Sequence, residues 1–88
     1  MDPYEWDETK YATNLRRHQT RFELVYEFDW NTAAFEIDER FEYGEERVRA
    51  FSRVNGQPYC VVYTPRGLRL RIISMRPMHE REARKYDI

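Results

Sequence analysis

The sequence predicts an α+β fold, in which helices from both ends of the chain pack on a mainly antiparallel, four-stranded sheet. Helical caps and spacings come first along the chain, a period of two begins near residue 33, and a helical pattern returns after Pro77. Two tight turns, Asn55-Gly56 and residues 64–67, make the last three strands antiparallel neighbours. The predicted order is two helices, four strands and a final helix.

Two helices are predicted before the sheet. Asp7 is a good N-cap for a helix over residues 8–18, with an apolar ridge at Tyr11 and Leu15. Thr20 and Glu23 have the spacing of a capping box, which predicts a second helix to about Phe28. The break between the two helices falls at Gln19.

Four strands follow, separated by a polar loop and the two turns. Alternation predicts strands over residues 33–38 and 47–53, and apolar runs predict strands over 59–64 and 68–75. The loop over residues 39–46 separates the first two strands. In the second strand one face carries Arg47, Arg49, Phe51 and Arg53. Pro77 ends the last strand, and residues 78–86 are predicted to form a charged helix.

Length and composition indicate one small domain over residues 1–88. The lone cysteine, Cys60, excludes an internal disulfide, and its apolar neighbours favour a buried thiol over a nucleophile. No apolar stretch approaches the ~20 residues of a membrane span, and the acidic N-terminus does not resemble a signal peptide. These observations predict a cytoplasmic protein that does not bind a membrane.

The net charge of −1 hides a strong division along the chain. Residues 1–46 carry 13 acidic and 5 basic side chains, whereas residues 47–88 carry 10 basic and 3 acidic ones. Nine of those ten basic residues are arginine, which matches phosphate and carboxylate geometry better than lysine does. The basic half indicates an anionic partner, although the two halves can also neutralise each other across the fold.

Two sets of residues at opposite ends of the chain carry a family resemblance. The first contains Glu5-Trp6-Asp7, followed by Lys10, Asn14, His18 and Phe22. Glu45-Glu46-Arg47 and Val62-Tyr63-Thr64 lie between the two sets, and the second set contains Arg71-Ile72-Ile73-Ser74, Arg76, Glu82 and Tyr86. In this order and at these spacings the chain resembles the BrnT family of bacterial toxins, whose fold is RelE-like.

The resemblance implies a small ribonuclease that arrests growth by cleaving RNA. It also implies neutralisation by a cognate BrnA-type antitoxin in a 2:2 complex, with operator DNA bound only through the antitoxin. The alternative is a non-catalytic interaction module, an inactive relative that uses its basic half to dock an antitoxin-like DNA-binding partner. The family usually has glycine after the histidine, where this chain has Gln19, and a left-handed turn there would cost about 1 kcal/mol with glutamine.

Cleavage of RNA without a metal needs a base for the 2′-hydroxyl, cations for the phosphoryl oxygens and an acid for the leaving oxygen. The resemblance points to arginines on the sheet for the cationic role, Arg76 first, then Arg71, Arg47 and Arg40. For each of them the alternative is a solvent-facing ion pair with the acidic half.

Further candidates lie on the helices. His18 is a candidate acid or base, or a cation at a helix C-terminus. Lys10 either holds a phosphate or pairs with Glu5 or Asp7.

Glu82 and Tyr86 share a face of the last helix and are a candidate base and a candidate contact to the scissile phosphate. Alternatively, Tyr86 packs that helix on the sheet and Glu82 pairs with Arg71 or Arg76. We expect no metal and no other cofactor, because one cysteine and two histidines do not have metal-ligand spacing.

Overall fold

The computed structural model describes residues 1–40, 42 and 44–88, and its core is a five-stranded sheet with helices on both of its faces. The strands are β1 (Tyr4–Trp6), β2 (Ala34–Ile37), β3 (Val48–Val54), β4 (Gln57–Arg66) and β5 (Arg69–Pro77). The helices are α1 (Glu8–His18) and α2 (Glu80–Arg84), and two 3-10 helices span Phe22–Glu27 and Trp30–Thr32. The predicted α+β class is confirmed, whereas the prediction of four strands is wrong by one.

The sheet has the order β1-β5-β4-β3-β2, with antiparallel pairing from β5 to β2. The additional strand is β1, which pairs in parallel with β5 from Leu70 to Ile72. Three residues are too few to show an alternating pattern, so this strand could not be recognised from the sequence. Of the predicted loop over residues 39–46, Phe41 and Tyr43 lie outside the described residues.

The first predicted helix is confirmed in both of its limits. The Asp7 side chain accepts a hydrogen bond from the backbone N–H of Lys10 at 3.0 Å, as an N-cap does. At the other end Gln19 adopts the left-handed conformation, with φ 50° and ψ 36°, and its N–H donates to the carbonyl of Leu15. The turn that glycine usually makes is therefore present with glutamine, at the conformational cost expected from the sequence.

The second predicted helix is a 3-10 helix, and its predicted capping box is absent. Arg21 is the N-cap and makes no side-chain capping bond, while the Thr20 hydroxyl donates to the carbonyl of His18 at 2.9 Å. Phe22, Val25 and Phe28 are all buried against the sheet. A spacing of three residues suits the 3-10 period as well as an α-helix, so this local pattern did not distinguish them.

The two faces of the sheet carry different cores. The first face packs against the 3-10 helices through an aromatic and aliphatic cluster that includes Phe22, Phe28, Val61, Ile72 and Met75. The second face carries a smaller cluster under α2, built on Phe51, Cys60, Val62, Met78 and Ala83. Because α2 covers only part of the second face, the remainder is left for polar side chains. None of the described helices is long and apolar enough to cross a membrane.

Candidate active site

A cleft of about 570 Å³ lies beside the smaller core, between α1 and the second face of the sheet. Cys60, Val62 and Ile73 are its apolar lining residues. Seven side chains that carry or can acquire a positive charge surround that apolar part: Lys10, Arg17, His18, Arg40, Arg47, Arg49 and Arg76. Asp38 is the one carboxylate among the described lining residues, and it is bonded to Arg40. The cleft is therefore strongly cationic, which suits a polyanion.

Asn14 places α1 at the edge of this cleft. The strand β1 covers β5 only as far as Ile72, so the next backbone groups of β5 face α1 instead of a strand. The Asn14 side-chain amide donates to the carbonyl of Met75 at 2.8 Å and accepts from its N–H at 3.1 Å. The same amide also donates to the carbonyl of Thr20 at 3.0 Å, beyond the end of the helix. One buried side chain thus replaces a strand partner and fixes α1 to the sheet.

The polar face of α1 supplies one wall of the cleft. Lys10, Asn14 and His18 are one turn apart in succession, so they lie along one side of the helix. Burial, and then the positive charges of Arg76 and Arg17, lower the pKa of His18 below its ordinary value of 6.5. The imidazole of His18 is therefore neutral at pH 7 and has a nitrogen available to accept a proton.

Arg76 lies on β5 where the sheet, α1 and α2 meet. Its guanidinium makes a two-pronged contact with the Glu82 carboxylate, with Nη2–Oε2 at 2.7 Å and Nη1–Oε1 at 3.1 Å. The hydrogen bonds to Arg76 lower the pKa of the Glu82 carboxyl, and the same bonds raise the pKa of Arg76. Glu82 is consequently ionised at neutral pH and is a weak proton acceptor, while Arg76 is held in one orientation.

The remaining arginines of the cleft come from β3 and from the segment after β2. Arg49 pairs with Glu36 across the β2–β3 ladder, and its buried Nε has no hydrogen-bond partner among the described residues. Arg40 bonds the Asp38 carboxylate through Nε at 2.7 Å and Nη2 at 2.9 Å. Arg47 lines the cleft just before β3 begins. An anion entering the cleft meets cations on two sides.

The structure gathers five of the predicted site residues around this cleft, namely Lys10, His18, Arg40, Arg47 and Arg76. Arg71 is not among them, because its Nε lies 3.0 Å from a carboxylate oxygen of Glu5 and it forms the ion pair with the acidic half that was the alternative expectation. Glu82 reaches the site only through Arg76. The ring of Tyr86 stacks on Phe51 with centroids 3.6 Å apart and helps to hold α2, as its alternative role required.

Two cationic lining residues, Arg17 and Arg49, were missed as candidates. Arg49 shares a face of its strand with Arg47, so the alternation already contained the signal for it. Arg17 precedes His18 on α1, and only the docking of the helix shows that both residues reach the cleft. None of the described lining residues is aromatic, so these residues offer no ring on which an RNA base could stack inside the cleft.

Among the described residues, neither a reactive thiol nor a metal-binding group is available in the cleft. Burial raises the pKa of the Cys60 thiol to about 11, so it is protonated and unreactive at neutral pH, as its apolar neighbours predicted. No three His, Cys, Asp or Glu side chains come together as a metal-binding group in the part of the chain that the structure describes. The groups that remain for chemistry are one neutral imidazole and several fixed cations.

A comparison with protein families identifies the family of the chain. The family model described as the ribonuclease toxin BrnT of type II toxin–antitoxin systems matches residues 6–82, which include α1, the strands β2 to β5 and Glu82. A search of curated proteins gave no match. The resemblance noted in the sequence is confirmed by the family match, and the chain belongs to the BrnT family of ribonuclease toxins of type II toxin–antitoxin systems.

Proposed function

We propose that this toxin cleaves RNA endonucleolytically without a metal ion, in the cationic cleft between α1 and the sheet. The observation that carries the proposal is the position of a neutral imidazole, His18, beside the fixed guanidinium of Arg76. A divalent cation would be repelled by the many positive side chains of the cleft, whereas the phosphates of RNA are attracted by them.

The reaction we assign is attack of a ribose 2′-oxygen on the adjacent phosphorus atom. His18 removes the 2′-hydroxyl proton, the new 2′-O–P bond forms, and the P–O5′ bond breaks. Lys10 donates a proton to the departing 5′-oxygen. The products are a 2′,3′-cyclic phosphate and a 5′-hydroxyl, so the atoms balance without water or a cofactor.

The arginines of the cleft have different roles in the reaction. Arg76 stabilises the charge that develops on the phosphoryl oxygens, because its orientation is fixed before the substrate binds. Arg40 and Arg47 hold the phosphates of neighbouring nucleotides. Arg71, which lies outside the cleft, contributes at most to binding of a longer RNA. Glu82 is a positioning residue for Arg76, and Tyr86 holds α2 on the sheet beside it.

We propose that this cleavage takes place in the cytoplasm and inhibits translation and growth. A BrnA-type antitoxin neutralises the toxin in a 2:2 complex, and operator DNA is bound only through that antitoxin. Residues 1–46 are mainly acidic and suit a basic partner, whereas residues 47–88 are mainly basic and suit an acidic partner.

One observation favours a second candidate function, a non-catalytic docking module. Both terminal nitrogens of Arg76 already bind Glu82, and holding α2 in place is a sufficient role for an arginine paired in this way. An inactive relative that binds an antitoxin-like partner would show the same pair.

Expression of the wild type and of Arg76→Ala in a bacterial host distinguishes the two candidates. We expect the wild type to arrest growth and degrade total RNA, and the variant to do neither while remaining folded. Arg84→Ala, an exposed arginine of α2 that does not line the cleft, is the matched control and should behave like the wild type. A well-expressed, folded wild type that leaves growth and RNA intact would contradict the catalytic function.

The purified protein tests the chemical step. Cleavage should persist in excess EDTA, should leave a 2′,3′-cyclic phosphate, and should stop at a position where a single 2′-deoxynucleotide replaces the ribonucleotide. Loss of activity in EDTA, restored by a divalent ion, would contradict metal independence.

A further inference from the structure

The outer edge of β2 is an apolar strand edge that none of the described helices and strands covers. This strand is the last in the sheet, and β3 is its one partner among the described strands. The side chains of Phe35 and Ile37 lie on one face and are 55% and 50% exposed. Trp30 stacks on Phe35 with ring centroids 6.3 Å apart, so the exposed apolar surface is continuous with the core.

The backbone of β2 is also open to pairing. The N–H of Asp38 donates inward to the carbonyl of Arg47 at 2.8 Å. Backbone groups point to alternate sides along a strand, so those of Phe35 and Ile37 point outward. An exposed strand edge with apolar side chains is a template for the addition of another strand.

A shallow acidic groove continues from this edge. It is lined by Ile37 and Arg47 together with the carboxylates of Asp38, Glu39, Glu42, Glu45 and Glu46. Two of its lining residues, Asp38 and Arg47, also line the catalytic cleft, so the groove leads from the edge of β2 towards the active site. An occupant of the edge can therefore reach the cleft without leaving the surface.

We propose that β2 receives an extended segment of the antitoxin as a sixth strand, and that this segment continues through the acidic groove to block the cleft. This rests on the antitoxin partner of the proposed function. Charge selects the chemistry of the segment, since a carboxylate-lined groove is complementary to lysine or arginine. Alternate apolar side chains of the segment pack on Phe35 and Ile37, and its basic residues enter the groove.

A second copy of the toxin fits this edge less well. Two β2 edges related by a twofold axis pair antiparallel, so the acidic segment after each β2 would lie beside the uncharged residues 31–33 of the other copy and would gain no complementary charge. Ultracentrifugation of the free toxin tests this occupant directly. A dimer that dissociates on Phe35→Lys substitution would assign the edge to self-association and overturn the proposal.

The experiment uses the full-length toxin and its purified cognate antitoxin. Phe35→Lys should weaken antitoxin binding at least tenfold, because it places a charge in the apolar contact and beside the basic segment. Leu68→Lys is the matched control, since Leu68 is 88% exposed at the turn between β4 and β5, and its affinity should stay within twofold of the wild type.

Two further measurements keep the outcome clear. Glu42→Lys combined with Glu46→Lys should weaken binding and reduce its dependence on salt. Hydrogen exchange at the amides of Phe35 and Ile37 should slow when the antitoxin binds. Unchanged affinity in Phe35→Lys together with unprotected β2 amides would overturn the proposal.

RNA cleavage by the free toxin separates this proposal from the proposed function. Phe35→Lys should cleave RNA as fast as the wild type without antitoxin and should resist inhibition when antitoxin is added. If the wild type does not cleave RNA, the catalytic function fails, while the affinities and the amide protection still decide where the antitoxin docks.

Discussion

The two α-helices are attached to the sheet in different ways, and the difference decides what each one offers to the cleft. The longer helix, α1, is held by the neutral amide of Asn14 on the backbone of Met75. The short helix, α2, is held by the pairing of Arg76 with Glu82, of Arg53 with Glu80, and by the stacking of Tyr86 on Phe51. A neutral attachment leaves the charges of α1 for substrate, whereas a charged attachment occupies an arginine of the sheet.

The largest expected effect comes from removing the neutral attachment. Asn14→Ala leaves the buried N–H and C=O of Met75 without their partner, which should lower the free energy of unfolding by about 2–4 kcal/mol. The wall carrying Lys10 and His18 should then loosen, and kcat for RNA cleavage should fall at least tenfold in the protein that remains folded. Thermal unfolding and single-turnover cleavage at low temperature measure the two effects.

A buried valine far from the cleft provides the control for Asn14. Val54→Ala truncates a core side chain of β3 and should cost about 2 kcal/mol without changing kcat. In Asn14→Ala the pKa of His18, followed by NMR, should rise towards 6.5 as the imidazole moves away from Arg76 and into water. Equal loss of activity in both variants, with an unchanged His18 pKa, would show that Asn14 has only a structural role.

The next effect tests the charged attachment of α2. Glu82→Gln removes the charge that orients Arg76 and should lower the free energy of unfolding by about 1 kcal/mol at pH 7, since both side chains are about one third exposed. Because the pKa of Glu82 is lowered by folding, this difference should be complete above the ordinary pKa of 4.5 and disappear as the pH falls through the lowered value. Denaturant unfolding across pH 3–7 measures it.

The same variant separates a positioning role for Glu82 from a role as the base. If Glu82 only positions Arg76, Glu82→Gln should lower kcat for RNA cleavage while leaving the pH dependence of kcat unaltered. Disappearance of the acid limb of the pH–rate profile in Glu82→Gln would make the carboxylate the base after all.

A smaller effect is expected from pH alone on the wild type. The rate should rise with pH as His18 loses its proton, and the midpoint of that rise should lie below pH 6.5, because burial and the nearby arginines lower the pKa of the imidazole. His18→Gln should be slow and should lack that limb. An acid limb that survives in His18→Gln would assign the base to another residue.

The smallest effect is expected at the outer ion pair of α2. Glu80→Gln removes the partner of Arg53 at an exposed position, so neither the melting temperature nor RNA cleavage should change measurably. This variant is therefore the matched control for Glu82→Gln. A clear loss of activity in Glu80→Gln would mean that α2 acts on the cleft as a whole and not through Arg76.

Local chemistry was sufficient to predict much of this molecule. The N-cap at Asp7, the alternation through β3 and the turn at Asn55-Gly56 each depend on a few neighbouring residues, and each appears in the structure where it was predicted. The ordered motifs identified the family, and the polar side of α1 with Lys10, Asn14 and His18 already contained three of the residues that line the cleft. These features need no knowledge of distant parts of the chain.

The features that the sequence could not determine depend on contacts between distant residues. Asn14 bonds Met75, which lies 61 positions away in the sequence. The strand β1 forms because it can pair with the edge of β5. The 3-10 helix over Phe22–Glu27 is favoured by its packing on the sheet.

Tertiary structure alone gave two arginines of β5 different surroundings. Arg71 pairs with Glu5, whereas Arg76 lines the cleft. Charge and spacing predicted a site for an anion on this chain. The docking of α1 on the open edge of β5 decided where, because only that contact brings a neutral imidazole beside a fixed guanidinium.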